Sequence, residues 1–306
     1  MRTFFNEIII SSGGNKGIAL IGALNKFVNY YPIKKIKYYT GCSIGSIICL
    51  LLVIGYNINE LNDILFKINF ENFQDLKVIN LIEKCGFDEG IKITNFLKAI
   101  IISKNFSSNI TFKELYEKTN KILTIVVVNI TKGIPEYHNY INTPDLSVLL
   151  SLRMSINIPI LFSPILYNNN YYIDGALLDP FPYFYHKDTN KIGFWLFEKY
   201  EFNFIKNINT IFVNKIVNSL SYTSELLKII YINYIKKKYK KIPNNVVYID
   251  FDFKNKNLVD FDVTIEDKIK MFNIGKRKCV LFFKKKMKLY LKKKYFLKWK
   301  NIIRIL

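Results

Sequence analysis

Histidine, cysteine and acidic residues are scarce in this 306-residue chain, and each shortage excludes a class of chemistry. There are two histidines, His138 and His186, and four cysteines, Cys42, Cys49, Cys85 and Cys279, with no CxxC pair and no Cys/His spacing suited to zinc. Neither a metal centre nor a disulfide framework is expected, and free thiols point to a reducing compartment. Long apolar runs are missing too. The longest, Ile47 to Gly55, falls well short of the roughly 20 residues that span a bilayer. Near the N-terminus, Ile8-Ile9-Ile10 is preceded by Asn6 and Glu7 and is too short for the apolar region of a signal peptide. A cytoplasmic chain without a transmembrane helix is therefore expected.

Acids number 24 against 45 Lys and Arg, a formal net charge of +21. That imbalance favours an anionic partner, either an acidic membrane surface or a nucleic acid. Heavy use of Asn, Ile, Lys, Tyr and Phe is what an AT-rich coding sequence produces, and it accounts for part of the lysine excess.

Half of the residues are apolar, enough to bury a full α/β core. Glu7 to Ser11 reads as a short buried strand, followed by the turn Ser12-Gly13-Gly14-Asn15-Lys16-Gly17 and a helical pattern to about Phe27. The pattern repeats at once, with a strand over Ile36 to Thr40, the turn Gly41-Cys42-Ser43-Ile44-Gly45, and an apolar helix over Ser46 to Val53. Two successive strand–turn–helix units predict parallel strands in an α/β sheet. Asn59 to Lys121 has mostly helical spacing, broken around Cys85 to Gly90 and Ser103 to Asn109, and reads as a helical insertion or lid. Leu123 to Ile130, with continuous β-branched residues, predicts an interior strand at the centre of the sheet. Asp145 to Ser155 reads as a helix, and Tyr171 to Ile173 as a strand that delivers Asp174. Further elements are expected at Ile192 to Phe197, at the helical segment Asn207 to Lys238 and at the strand Val246 to Phe251.

After Asp267 no acid remains. Phe282, Leu289, Phe296 and Ile303 recur every seven residues, which predicts one apolar side of a basic helix. The resulting division is one domain over 1–270, with 59–121 as its insertion, and a basic amphipathic tail over 271–306.

Two turns and one aspartate carry the chemistry. Gly41-Cys42-Ser43-Ile44-Gly45 is a GxSxG between a strand and a helix: small flanking residues permit a sharp turn that exposes the serine Oγ, and the helix N-terminus favours developing negative charge. An ordinary tight turn has the same composition. In the earlier turn, the backbone N–H groups around Gly13, Gly14 and Asn15 are unshielded and suit an oxyanion or a phosphate. A dinucleotide fingerprint fits it poorly, because Ser12 replaces the first glycine and no acid follows at about 20 residues. Activating Ser43 requires a base. Ser43, Asp174 and His186 follow the chain order of α/β-hydrolase triads, but His186 lies only twelve residues beyond Asp174 in a charged stretch. Asp174 itself, followed by Gly175-Ala176, is the alternative. A carboxylate is a weak base that takes a serine proton only by direct contact in a site that tunes it.

Together these blocks resemble the patatin-like phospholipase family. Its members carry a glycine-rich oxyanion loop, a GxSxG elbow and an Asp-Gly-Gly or Asp-Gly-Ala motif in that order. Here they are Ser12 to Gly17, Gly41 to Gly45, and Asp174-Gly175-Ala176, and the approach through Arg153-Met154-Ser155, Pro159, Phe162 to Pro164 and on to Pro182 is similar as well. The likeness covers about the first two hundred residues. It implies a three-layer α/β/α sandwich around a mostly parallel sheet, a Ser43–Asp174 dyad without histidine, an oxyanion hole at Gly13, Gly14 and Asn15, and no metal or cofactor. The implied activity is hydrolysis of phospholipid acyl esters, with acyl transfer on the same dyad, or a catalytically weak membrane-binding protein, as alternatives. Ser12 departs from the family's usual glycine, keeping its N–H but narrowing the loop. For the basic tail an anionic membrane is the expected partner, and a nucleic acid the rival.

Overall fold

The computed structural model describes residues 4–187, 189–198, 243–251 and 262–303. Its frame is an eight-stranded sheet in which five strands run parallel. These are β10 (Val246–Phe251), β9 (Lys191–Glu198), β1 (Glu7–Ile10), β2 (Tyr38–Cys42) and β4 (Ile122–Asn129), side by side in that order. Next to β4 the direction reverses in β8 (Asn170–Asp174) and returns in β7 (Ile165–Tyr167), which is antiparallel to β8; β5 (Ile134–His138) is antiparallel to β4 on its other edge. The expected α/β fold with a mostly parallel sheet is present. Continuous β-branched chemistry placed β4 inside it, where Ile125, Val126 and Val127 are fully buried.

The strands alternate between two cores, as a period of two requires. Ile8, Ile10, Phe194 and Val247 point into the main core beneath helices α1 (Ile18–Phe27), α2 (Ile44–Val53) and α7 (Val148–Ser155). Ile9, Trp195 and Val246 point to the other face. Phe181 covers them there, stacked on Trp195 with ring centroids 4.9 Å apart. The helical segment expected at Asn207 to Lys238 lies outside the described residues.

Between α2 and β4 the expected helical insertion consists of α3 (Ile58–Lys67), α4 (Val78–Lys84), α5 (Ile91–Ile102) and α6 (Phe112–Thr119). Asn57 caps α3 and Thr111 caps α6, each in a reciprocal capping box with the glutamate three residues on. The break at Cys85 to Gly90 holds a short strand, β3 (Gly86–Asp88), paired with β6 (Ile160–Phe162).

The C-terminal helix, α8 (Ile265–Ile303), crosses the boundary expected at residue 270, and its first half belongs to the core. Lys268, Met271, Gly275 and Cys279 are buried at helical spacing. Phe282 packs against the core as well, whereas Leu289, expected on the same side, is exposed. A heptad count missed this face because α8 packs on α1 backbone to backbone: a Cβ on Gly275 would sit 1.9 Å from the Ala19 carbonyl oxygen, and one on Gly22 2.1 Å from that of Phe272. The buried Lys268 ammonium donates to the Phe66 and Ile68 carbonyls, tying α8 to the end of α3. Gly275→Ala is therefore expected to destabilise the whole domain by roughly 1–3 kcal/mol or more, the usual cost of overpacking, read as a lower urea midpoint. A helix that only decorated the surface would leave the midpoint unchanged.

Candidate active site

The register along β4 brings the sequence motifs together. On one edge β4 pairs with β2 up to Cys42↔Val126; on the same edge, running the opposite way, β8 pairs from Asn129↔Tyr172 to Val127↔Asp174. β5 occupies the other edge across residues 125–129, so β2 and β8 must meet end to end. Their junction sets Ser43, the residue after β2, against Asp174, the last of β8. The site thus lies at the C-terminal ends of the parallel strands. It adjoins β1, where the strand order turns from β2 on one side to β9 on the other, the usual ligand position in open α/β sheets.

Ser43 has φ 54° and ψ −127°, a conformation that costs an L-residue about 1–3 kcal/mol. The flanking glycines allow it by close approach. A Cβ on Gly41 would lie 2.5 Å from the Gly45 carbonyl oxygen, and one on Gly45 2.4 Å from that of Ile10. The turn is pinned from α7: the Ser43 N–H donates to Ser155 Oγ (3.0 Å), which donates to the Val126 carbonyl (2.6 Å) and lies 3.0 Å from Ser46 Oγ. Ser155 stood in the matching sequence block without a role; its placement against Ser43 required the fold.

The Ser43 hydroxyl donates to Asp174 Oδ2 at 2.6 Å, and the Ala176 N–H donates to Oδ1 at 2.8 Å. The Asp174 N–H is held by the Asn157 carbonyl at 2.9 Å, and Asn157 Nδ2 donates to the Ser163 carbonyl at 2.9 Å. Asn157 was not singled out in the sequence, since its contribution is mostly backbone. Both Ser43 and Asp174 are buried. Burial pushes the Asp174 carboxyl up from 3.8 to about 7, and the donors from Ser43 and Ala176 oppose the rise. A carboxylate of that basicity, in direct contact with a hydroxyl, is matched to proton removal near neutrality.

Ser43 also borders an apolar cavity that opens to solvent. Gly14 and Asn15 line it beside Ser43, while Gly13 packs against Leu196. Gly14 has φ +52°, which favours glycine. The Ser12 N–H donates to the Pro180 carbonyl at 2.8 Å, so it faces away from any oxyanion. The remaining walls are aliphatic and aromatic, from α2, α3, α5 and the turn at Phe70–Phe73. The insertion, whose residues showed no chemistry of their own, supplies much of that lining.

Neither histidine joins this pair. His186 Nδ1 lies 2.7 Å from Glu7 Oε1, at the first residue of β1 and so toward the opposite end of the sheet. His138 Nδ1 lies 3.0 Å from Ser151 Oγ, and its Nε2 3.5 Å from Glu136.

Comparison with known proteins identifies the family of this fold. The family model for patatin-like phospholipases matches residues 8–185. The probable lipid hydrolase 463L of Invertebrate iridescent virus 6 is 37% identical over 232 residues, 69% of this chain and 79% of that protein. Protein R571 of Acanthamoeba polyphaga mimivirus is 32% identical over 56% of this chain and 57% of its own length. Among solved structures, VipD from Legionella pneumophila shares the fold at a TM-score of 0.59 with 16% identity, over 92% of this chain and 67% of VipD. The matched region holds the glycine loop, the elbow, Asp174 and the sheet that joins them, and on that evidence the chain belongs to the patatin-like phospholipase family.

Proposed function

We propose that this chain is a lipid acyl hydrolase of the phospholipase A type, in which Ser43 is the nucleophile and Asp174 its base. The family and the relative named as a lipid hydrolase support lipid hydrolysis. The observation that carries the finer reading is the 2.6 Å hydrogen bond from Ser43 Oγ to Asp174 Oδ2 at the wall of an apolar cavity.

In this reading the acyl chain lies in the cavity and its ester carbonyl faces Ser43. Oγ attacks the carbonyl carbon while its proton passes to Asp174. The backbone N–H groups around Gly13, Gly14 and Asn15 stabilise the oxyanion, and α2, which begins at Ile44 just after the nucleophile, adds its positive N-terminal end. The ester C–O bond breaks, and Asp174 returns the proton to the leaving alkoxide. Water then attacks the acyl-enzyme, giving its proton to Asp174, which hands it to Ser43 Oγ as the fatty acid departs. No step calls on a metal or a cofactor.

Residues 1–270 and the core-packed first half of α8 would together act as the hydrolase domain, with 59–121 shaping acyl-chain selection and the far half of α8 serving as a basic arm. On that arm the exposed Lys284, Lys285 and Lys288 alternate with the exposed Met287, Leu289 and Leu291. The mixture suits an anionic membrane surface, where each lysine contributes about 1 kcal/mol. Among the described residues no helix is long and apolar enough to cross a membrane, and the proposed attachment is peripheral.

The test is release of fatty acid from a fluorogenic phospholipid with calcium chelated. Turnover by the wild-type chain is the expected result. A chain inert on every acyl ester, yet still binding vesicles, would replace the hydrolase reading with a membrane-binding one.

A further inference from the structure

Helix α4 is turned inside out relative to what water demands. Its inward residue is polar, Asn80, while Val78, Ile79 and Ile82 are 71%, 54% and 77% exposed. Positions 78, 79 and 82 share one helical face, and Leu76 and Ile91 on either side are exposed as well. Lone exposed aliphatics need no explanation, but five within sixteen residues form a patch of the kind that marks an interaction surface.

The surroundings identify what covers it. α4 is a closed excursion, its ends joined where the Lys77 N–H donates to the Phe87 carbonyl at 2.8 Å. It grows from the cavity wall on both sides. Phe70 and Phe73 line the cavity just before it, and β3 just after it pairs with β6, whose Phe162 lines the cavity again. Two lysines beside the patch are paired, Lys77 with Asp75 at 3.2 Å and Lys84 with Glu89 at 2.8 Å, which lowers their cost of approaching a low-dielectric layer, while the exposed Glu83 of α4 carries a further charge that keeps the contact shallow. The exposed set contains no Trp, Tyr or Arg, the residues that anchor protein–protein contacts. A flexible aliphatic layer requires no such anchors.

We infer that the outer face of α4 docks into the apolar layer of a lipid surface, setting the acyl-chain cavity against its source of substrate. The inference rests on the proposed lipid substrate and adds a contact that, unlike the basic arm, does not depend on charge. A seven-residue helix presenting three or four aliphatic side chains penetrates only the boundary between headgroups and acyl chains.

The binding arm of the test uses Ser43→Ala protein, so that no vesicle is consumed, and zwitterionic phosphatidylcholine vesicles at high ionic strength, where charge attraction is screened. Adding Val78→Ser and Ile82→Ser is expected to weaken partitioning about tenfold or more. Unchanged partitioning overturns the inference, as does concentration-dependent dimerisation that the two substitutions abolish, since the patch would then serve a second copy of the chain. The activity arm places both substitutions in the otherwise wild-type chain. Turnover of a soluble, monomeric short-chain ester is expected to persist while turnover of vesicle lipid falls; equal losses on both would make α4 a cavity support and overturn the docking role. If the wild type hydrolyses no ester at all, the hydrolase reading fails, and the binding arm still decides α4.

Discussion

Ser43→Ala is expected to abolish ester turnover, by about 10⁴-fold or more, and Asp174→Asn to reduce it by about 10³-fold or more, while His186→Ala retains the wild-type kcat. The first two losses follow from one geometry. In the proposed mechanism Oγ makes the attack, and Oδ2, which accepts its hydrogen bond at 2.6 Å, takes its proton. An amide at 174 still accepts a hydrogen bond from Ser43 but cannot take its proton. His186 is engaged by Glu7, which also accepts from Thr40 at 2.8 Å. Its removal therefore affects stability, by about 1–3 kcal/mol for a disturbed buried carboxylate, and leaves the chemistry in place. Steady-state kinetics on folded variants, each checked by circular dichroism, separates the outcomes. An inactive but folded His186→Ala would restore the histidine triad.

Turnover is expected to rise with pH and level off above about 7, and folding stability to fall over part of the same range. Both follow from burial, which holds the Asp174 carboxyl at about 7 against 3.8 in the unfolded chain. The base works only when ionised, so kcat/KM follows its deprotonated fraction. Stability runs the other way: between about 4 and about 7 the folded chain binds the Asp174 proton and the unfolded chain does not, so each rising pH unit removes about 1.4 kcal/mol, up to about 4 kcal/mol in all. Glu136 has the opposite sign but acts lower. Hydrogen bonding, first from His138, holds it at about 2, so its contribution disappears only as pH falls below about 4.5. Asp174→Asn removes the first effect alone. It is expected to unfold at higher urea than the wild type at pH 8 and at nearly the same urea at pH 4; a variant no more stable at pH 8 would mean that Asp174 is not held at a raised pKa. Ser43→Ala removes a donor that lowers the Asp174 pKa, so the upper end of the pH range over which stability falls should move above 7.

Much of this molecule is legible locally. The paired strand–turn–helix units, the β-branched run of β4 and helices between α2 and β4 appear where hydrophobic period and turn chemistry, which act over about ten residues, predict them. The C-terminal helix was harder. Its packing face is built on Gly275 and an inward lysine, Lys268, which a pattern based on large apolar residues passes over. α4 was opaque for the reverse reason: an apolar stripe reads as buried, and only the packed structure reveals that Val78, Ile79 and Ile82 face outward.

The sequence by itself determined an α/β chain with a glycine turn, a GxSxG elbow and an Asp-Gly-Ala corner, because each is a short-range steric requirement written in neighbouring residues. Tertiary structure decided that Ser43 and Asp174, 131 residues apart, touch, and that His186 goes elsewhere. Strand register makes that decision. β2 and β8 approach from opposite directions and stop at consecutive residues of β4, Val126 and Val127. The same packing buries the carboxylate, and the cost of desolvating its charge turns an ordinary aspartate into a group that changes protonation near pH 7.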